Sequence, residues 1–181
     1  IRRACSQADR ALPTSAVVLG ARATASSALA ALGELGIVTS TVAARRFGGP
    51  GSVVAASSRL GVSIEQVLWS DRGAVLRAIS GADLVISTLP AGVADPLAEH
   101  MTVREGQILL DVVYSPRETA LRSAFERNGG IVAEGTDMLI YQAAAQVQLM
   151  TGRSPKTDVM RGALEAELAR RARVSGGGAA S

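Results

Sequence analysis

A chain of 181 residues is long enough for one well-buried domain and too short for two ordinary ones. Aromatic residues make up only 3% of it, so the core has to be built from Ala, Val, Leu and Ile, side chains that suit helices packed closely on a parallel sheet. The net charge of +3 is scattered and gives no footprint for a nucleic acid, no apolar run reaches membrane-spanning length, no signal-peptide pattern opens the chain, and the single cysteine, Cys5, excludes an internal disulfide and fits a reducing, cytoplasmic compartment.

Residues 1–15 read as a connector running into a first strand, and the chain opens at Ile1, so it is expected to be the later part of a longer protein. Short apolar runs then recur at Ala16–Leu19, Thr39–Ala43, Ser63–Val67 (the weakest), Leu84–Ser87, Ile108–Asp111 and Ile131–Ala133, as expected of strands covered on both faces. Helical segments alternate with them. The first is capped by Thr24, carries Ala25, Ala28, Leu29, Leu32 and Leu35 along one stripe, and stops at Gly36. Others fit Ser52–Leu60, Arg72–Ile79, Pro96–His100 and Glu118–Asn128. Such alternation implies right-handed crossovers and an α/β fold, a doubly wound Rossmann-like parallel sheet, over residues 16–173. After Gly135 the pattern changes to two C-terminal helices, Asp137–Thr151, closed by Gly152, and one with Pro155 in its first turn running to about Arg173. Residues 174–181, rich in Gly and Ala, read as a disordered tail.

The first strand, turn and helix carry the chemistry. Backbone N–H groups at a helix N-terminus point outward unpaired, and the helix dipole favours an anion there. Gly20, Ala21, Arg22, Ala23 and Thr24 form the turn where a dinucleotide pyrophosphate would sit. Only Gly20 keeps the usual glycine; Arg22 and Ala23 replace two others. Arg22 either adds a charge-assisted contact to the pyrophosphate or, by its bulk, holds the phosphates away. The second strand ends at Ala44, Arg45 and Arg46, with no acid nearby. A carboxylate at that place accepts from the ribose 2′-hydroxyl of NAD, whereas two guanidiniums can clamp a 2′-phosphate, so the residues favour NADP. Thr88, after the fourth strand, is placed either to donate to the cofactor or to close a βα turn. Tyr114, after the fifth, either carries its hydroxyl into the cleft or is a half-buried structural tyrosine. Met138, Gln142 and Gln146 share one helix face, with Gln142 one turn in.

In this order the pieces resemble the cofactor-binding half of shikimate dehydrogenase. The family's VxGAGGTA-like turn is matched by Val18–Ala25 and its N-R-T-like segment by Ala44-Arg45-Arg46. Its N-T-x-P-like segment corresponds to Ser87-Thr88-Leu89-Pro90. The more specific D-x-x-Y-x-P is matched by Asp111–Pro116, and G-x-x-M-L-x-x-Q-A by Gly135–Ala143. The resemblance implies reduction of 3-dehydroshikimate to shikimate with NADPH. It gives the pyrophosphate to Gly20–Thr24 and the ribose phosphate to the segment 44–49. It gives the nicotinamide end to Val112 and Gly135, with Met138 among the cofactor contacts, and shikimate to Tyr114 and Gln142. Ala44 and Ser87 stand where the family has Asn, and Thr136 where it has Leu.

The family's substrate domain precedes the cofactor domain and supplies a catalytic lysine. The one lysine here is Lys156, near the C-terminus, and the one histidine, His100, has no evident partner. No catalytic residue and no metal ligand set is therefore assigned within the chain, and a substrate domain is expected N-terminal to it. Two rivals remain: a regulatory or scaffold module with a degenerate phosphate turn, and a quinate/shikimate dehydrogenase using NAD.

Overall fold

The computed structural model describes residues 1–115 and 118–176. The chain divides into two units, Ile1–Glu134 and a second that begins at Gly135. The first contains, in order, α1 (Arg2–Gln7), β1 (Ala16–Leu19), α2 (Ala23–Glu34), β2 (Thr39–Ala44), α3 (Val53–Leu60), β3 (Ser63–Leu68), α4 (Arg72–Gly81), β4 (Leu84–Ser87), α5 (Asp95–Ala98), β5 (Ile108–Asp111), α6 (Ala120–Arg127) and β6 (Ile131–Ala133). All six strands are parallel, in the order β3-β2-β1-β4-β5-β6. This is the doubly wound α/β sheet that the alternation of runs implies.

Alternate residues of the central strands serve opposite faces, as a pleated strand requires. Val18, Leu84 and Ile86 join Ala25, Leu29, Leu32 and Val53 in one core, under α2 and α3. Val17, Leu19 and Val85 join Val75, Ile79, Leu121 and Phe125 in the other, under α4 and α6. β1 and β4 are buried along their whole length, whereas β3 is an edge strand with exposed Ser63, Glu65, Gln66 and Leu68. That exposure is why its sequence reads weakly, although all six residues pair with β2.

Three local expectations are corrected in this unit. Residues 2–7 form a helix inside the segment read as a connector, because Ile1, Ala4 and Cys5 make an apolar stripe and Cys5 is buried in the first core. Thr24 does not cap α2: the helix starts at Ala23, and Arg22, in extended backbone, is its N-cap with no side-chain bond. The other end follows expectation. Gly36 takes φ +87, and Gly36 and Ile37 donate to the carbonyls of Gly33 and Leu32, which satisfies the last turn. α5 covers Asp95–Ala98, starting one residue before the Pro96–His100 reading and ending two residues short of its end, where His100 N–H donates to Leu97 O in a tight closing turn at 3.0 Å.

The second unit comprises α7 (Gly135–Thr151) and α8 (Thr157–Gly176). Arg161 on α8 donates to the Asp137 carboxylate on α7. Pro155 lies two residues before α8 rather than in its first turn. The connection is held instead by Ser154 Oγ donating to Gln148 Oε1 at 2.8 Å and by Arg153 N–H donating to Thr151 Oγ1 at 3.2 Å. α8 also continues to Gly176, into the segment read as a tail; residues 177–181 lie outside the described residues.

Candidate functional site

β1 and β4 are neighbours whose chains leave toward opposite halves of the sheet, which opens a crevice beyond their carboxyl ends. A cleft of about 460 Å³ lies there, lined by the β1–α2 turn (Gly20, Ala21, Arg22, Thr24), the end of β2 (Ala44, Arg45, Arg46), Trp69 after β3, and Thr88, Leu89, Pro90 and Val93 after β4. The structure thus brings the phosphate turn and the two arginines to one place.

Gly20 is required by its conformation and by its neighbour. Its φ is +112, and a Cβ there would collide with Thr88 Oγ1. Its N–H donates to Ala43 O at 2.8 Å. Thr88 closes the same corner: its hydroxyl donates to Leu19 O at 2.8 Å and its N–H to the same oxygen at 2.9 Å. The Thr88 proton is therefore engaged within the turn, and only its lone pairs face outward to a donor.

Arg22 has φ −100 and ψ −166, ordinary extended backbone, so this position tolerates a side chain where a glycine is usual. α3, α4 and α6 are each capped by a side chain, Ser52, Asp71 and Thr119. α2 has no such cap, which leaves its first-turn N–H groups for an anion. Ala23 is exposed in that first turn and its side chain does not line the cleft.

Arg45 and Arg46 are exposed, held between buried Ala44 and Phe47, which packs against the first core. The loop beyond them is tied back by Val53 N–H donating to Ala21 O at 3.3 Å and by Ser26 Oγ donating to Gly51 O at 3.1 Å. The lining carries three guanidiniums and no carboxylate. With the N-terminal end of α2 added, the cleft attracts an anion strongly.

The remaining candidates in the first unit lie outside this lining. Val112, half-buried, donates its N–H to Ser87 O at 3.0 Å, and Tyr114 is 45% exposed. Both sit on a loop organised by buried Asp111, which accepts from Val113 N–H at 3.2 Å and from the Thr119 hydroxyl at 2.9 Å. Pro116, the last residue of that motif, lies outside the described residues. Arg122 holds Glu134 through two bonds of 2.9 and 3.0 Å, and those bonds raise the guanidinium pKa above its ordinary value. In the second unit Gly135 is buried, Met138 half-buried and Gln142 exposed, all on α7. His100 and Lys156 are exposed.

Sequence reading missed Trp69, Leu89, Pro90 and Val93 as cleft residues. Trp69 had one available signal: it directly follows the third strand, and strand ends on this side of a parallel sheet line the crevice.

Residues 135–165 match the family model described as the Shikimate 5'-dehydrogenase C-terminal domain. The chain is 32% identical over 150 residues to a shikimate dehydrogenase (NADP(+)) of Moorella thermoacetica, an alignment covering 80% of this chain and 50% of that protein. Its fold is similar to that of the Mycobacterium tuberculosis shikimate dehydrogenase, with a TM-score of 0.71 and 36% identity, over 82% of this chain and 56% of that one. It is also similar to a quinate dehydrogenase from Corynebacterium glutamicum in complex with NAD, with a TM-score of 0.73 and 25% identity, over 91% of this chain and 59% of that one. The chain spans about a third to a half of the length of the curated relatives it matches.

Proposed function

The chain belongs to the shikimate dehydrogenase family, and from that premise we propose that it is the NADP-binding part of an oxidoreductase that reduces 3-dehydroshikimate to shikimate with NADPH. The observation that carries this reading is one cleft lined at once by the Gly20 turn and by Arg45 and Arg46, with no carboxylate among its walls. The residues fit the cofactor. The turn at Gly20 leaves no room for a Cβ, α2 is uncapped, and the cations line the same cleft, a lining whose charge suits a 2′-phosphate better than a bare ribose hydroxyl.

When bound, the cofactor supplies the hydride. The chain's own residues bind and orient. Gly20 and Ala21 form the turn that allows close approach to the pyrophosphate, the first-turn N–H groups of α2 and the Arg22 guanidinium offset its charge, and Arg45 and Arg46 hold the 2′-phosphate. Ala44, standing where relatives use Asn, contributes no side-chain bond. Thr88 acts mainly through Leu19 and Gly20, as the buttress of the turn. The family resemblance further assigns Val112, Gly135 and Met138 to the cofactor and Tyr114 and Gln142 to the substrate. The group that protonates the carbonyl oxygen has to stand within hydrogen-bond reach of it. We assign that group to a substrate-binding domain outside this chain, as in the family, so the chain alone is inactive.

Calorimetric titration with NADP and NAD tests the binding step. NADP is expected to bind the more tightly, and Arg45→Ala with Arg46→Ala to weaken NADP by roughly 10- to 100-fold, the worth of one or two charge-assisted bonds, while leaving NAD unchanged. Equal affinity for the two cofactors refutes the ribose argument and favours the NAD-using quinate/shikimate dehydrogenase. Binding seen only after Arg22→Gly with Ala23→Gly favours a module that has lost its cofactor.

A further inference from the structure

The cleft has an apolar wall to which phosphate recognition gives no task. β2 and β3 pair in parallel with Ala44 opposite Leu68, so the next residues, Arg45 and Trp69, leave the sheet side by side. Trp69 is fixed there by its own backbone, whose N–H donates to Ala44 O at 2.9 Å. Its side chain is half-buried. Part of it packs against the core on the α4 side of the sheet, and part lines the cleft. Leu89 packs against the same core and lines the same cleft, with exposed Pro90 and Val93 beside it. One region of the lining is thus flat, aromatic and aliphatic, and it adjoins two guanidiniums.

A ligand complementary to both parts carries an uncharged flat ring joined to an anion. Base-on-indole stacking serves such a ring without needing a particular hydrogen-bond pattern. We infer that Trp69 forms the stacking wall for the adenine ring of the dinucleotide, so that base and 2′-phosphate are held on one ledge by adjacent residues at the ends of β2 and β3. This rests on the NADP reading above and adds a specificity residue to it. Every residue of the ledge belongs to the first unit, so the adenosine end alone is a sufficient ligand.

Trp69 is the only tryptophan of the chain, so its emission reports on this wall alone. The chain is titrated with adenosine 2′,5′-bisphosphate and with inorganic pyrophosphate, each followed by calorimetry and by tryptophan emission. The bisphosphate is expected to quench the emission and to shield the indole from acrylamide, and pyrophosphate, which has no base, to change neither. Trp69→Leu is expected to bind the bisphosphate about tenfold more weakly, and Trp69→Phe, which keeps an aromatic face, to stay within about threefold of the native chain. Bisphosphate binding with emission and shielding unchanged, equal quenching by pyrophosphate, or native affinity in a folded Trp69→Leu chain overturns the stacking role while leaving the NADP reading intact. Failure of the native chain to bind either NADP or the bisphosphate overturns both. The emission measurement uses the native chain, so the outcome does not depend on whether the leucine variant folds.

Discussion

The two ends of β1 and β4 use the same strands for opposite purposes. At the amino end, polar groups are matched to partners. Asp83 accepts from the Thr14 hydroxyl at 2.8 Å and from the Thr14 and Ser15 N–H groups at 3.1 Å, and its own N–H donates to Ser15 Oγ at 3.0 Å. Arg104 donates to Ser80 O and Ala82 O, each at 2.9 Å, and buried Gln107 also donates to Ala82 O. At the carboxyl end, α2 has no capping side chain, and three guanidiniums face a cleft without a carboxylate. Saturated hydrogen bonding at one end fixes the register of the strands. That fixed register lets the other end hold polar groups open for a ligand.

The largest effect is expected from closing the open end. Gly20→Ala places a methyl group against Thr88 Oγ1 at a φ that alanine rarely adopts. NADP binding should fall by more than about 100-fold, because the phosphates and the corner compete for the same space. Stability should fall by about 2 kcal/mol from the strained backbone and the disturbed Thr88–Leu19 bond. Calorimetry and urea unfolding measure the two losses separately. A folded Gly20→Ala chain with native affinity would show that this corner does not hold the pyrophosphate.

The complementary change at the amino end should cost stability and leave binding alone. Burial pulls the Asp83 carboxyl upward, but hydrogen bonds from Thr14, Ser15 and Arg104 outweigh it and hold the pKa at about 2, against an ordinary 3.8. A depressed pKa in the folded state contributes stability that is present above the unfolded value. That contribution is lost as pH falls from about 4 through about 2. Asp83→Asn should lower stability at pH 7 by about 1 kcal/mol, kept small by the carboxylate's partial exposure, and should flatten the acid limb of the unfolding curve over that range. NADP affinity should stay within about twofold, since separated sites act independently. An affinity loss as large as that of Gly20→Ala would mean that the two ends are coupled.

The contrast between the ends also explains what could be read from the sequence. The strands β1, β4, β5 and β6 were legible to the residue, since each is a short, mainly apolar run set between helical segments, too short for a helix of its own. The cationic ledge was legible because Arg45 and Arg46 interrupt such a run without an acid nearby. The amino-end clasp was not, because Thr14, Ser15, Asp83 and Arg104 are ordinary turn and surface residues until the pairing of β1 with β4 brings the first two to Asp83 across 68 and 69 positions and the pairing of β4 with β5 brings Arg104 beside them. Trp69 was hidden for the same reason. Its one local signal was its place directly after the weakly read β3; that it reaches this cleft depends on the order of strands β3, β2 and β1. Thr24 misled as a cap because a residue of capping type sits one step inside the helix, while Arg22, a residue of no capping type, stands at the true cap.

The smallest expected effect falls on Arg22, and its sign is the informative part. The residue sits in extended backbone, so replacing it by glycine relieves no strain, and glycine serves almost as well at an N-cap. Steric relief would raise affinity in Arg22→Gly; loss of a cation from an open, exposed position would lower it. Three cations lining one cleft, without a carboxylate to compete, favour the second outcome. NADP should bind about threefold more weakly to Arg22→Gly at low ionic strength, and the gap should close near 1 M salt, where screening reaches about 3 Å. Tighter binding by Arg22→Gly at every salt concentration would show instead that the guanidinium obstructs the phosphates. The carboxyl end would then be open by geometry but blocked by this one side chain.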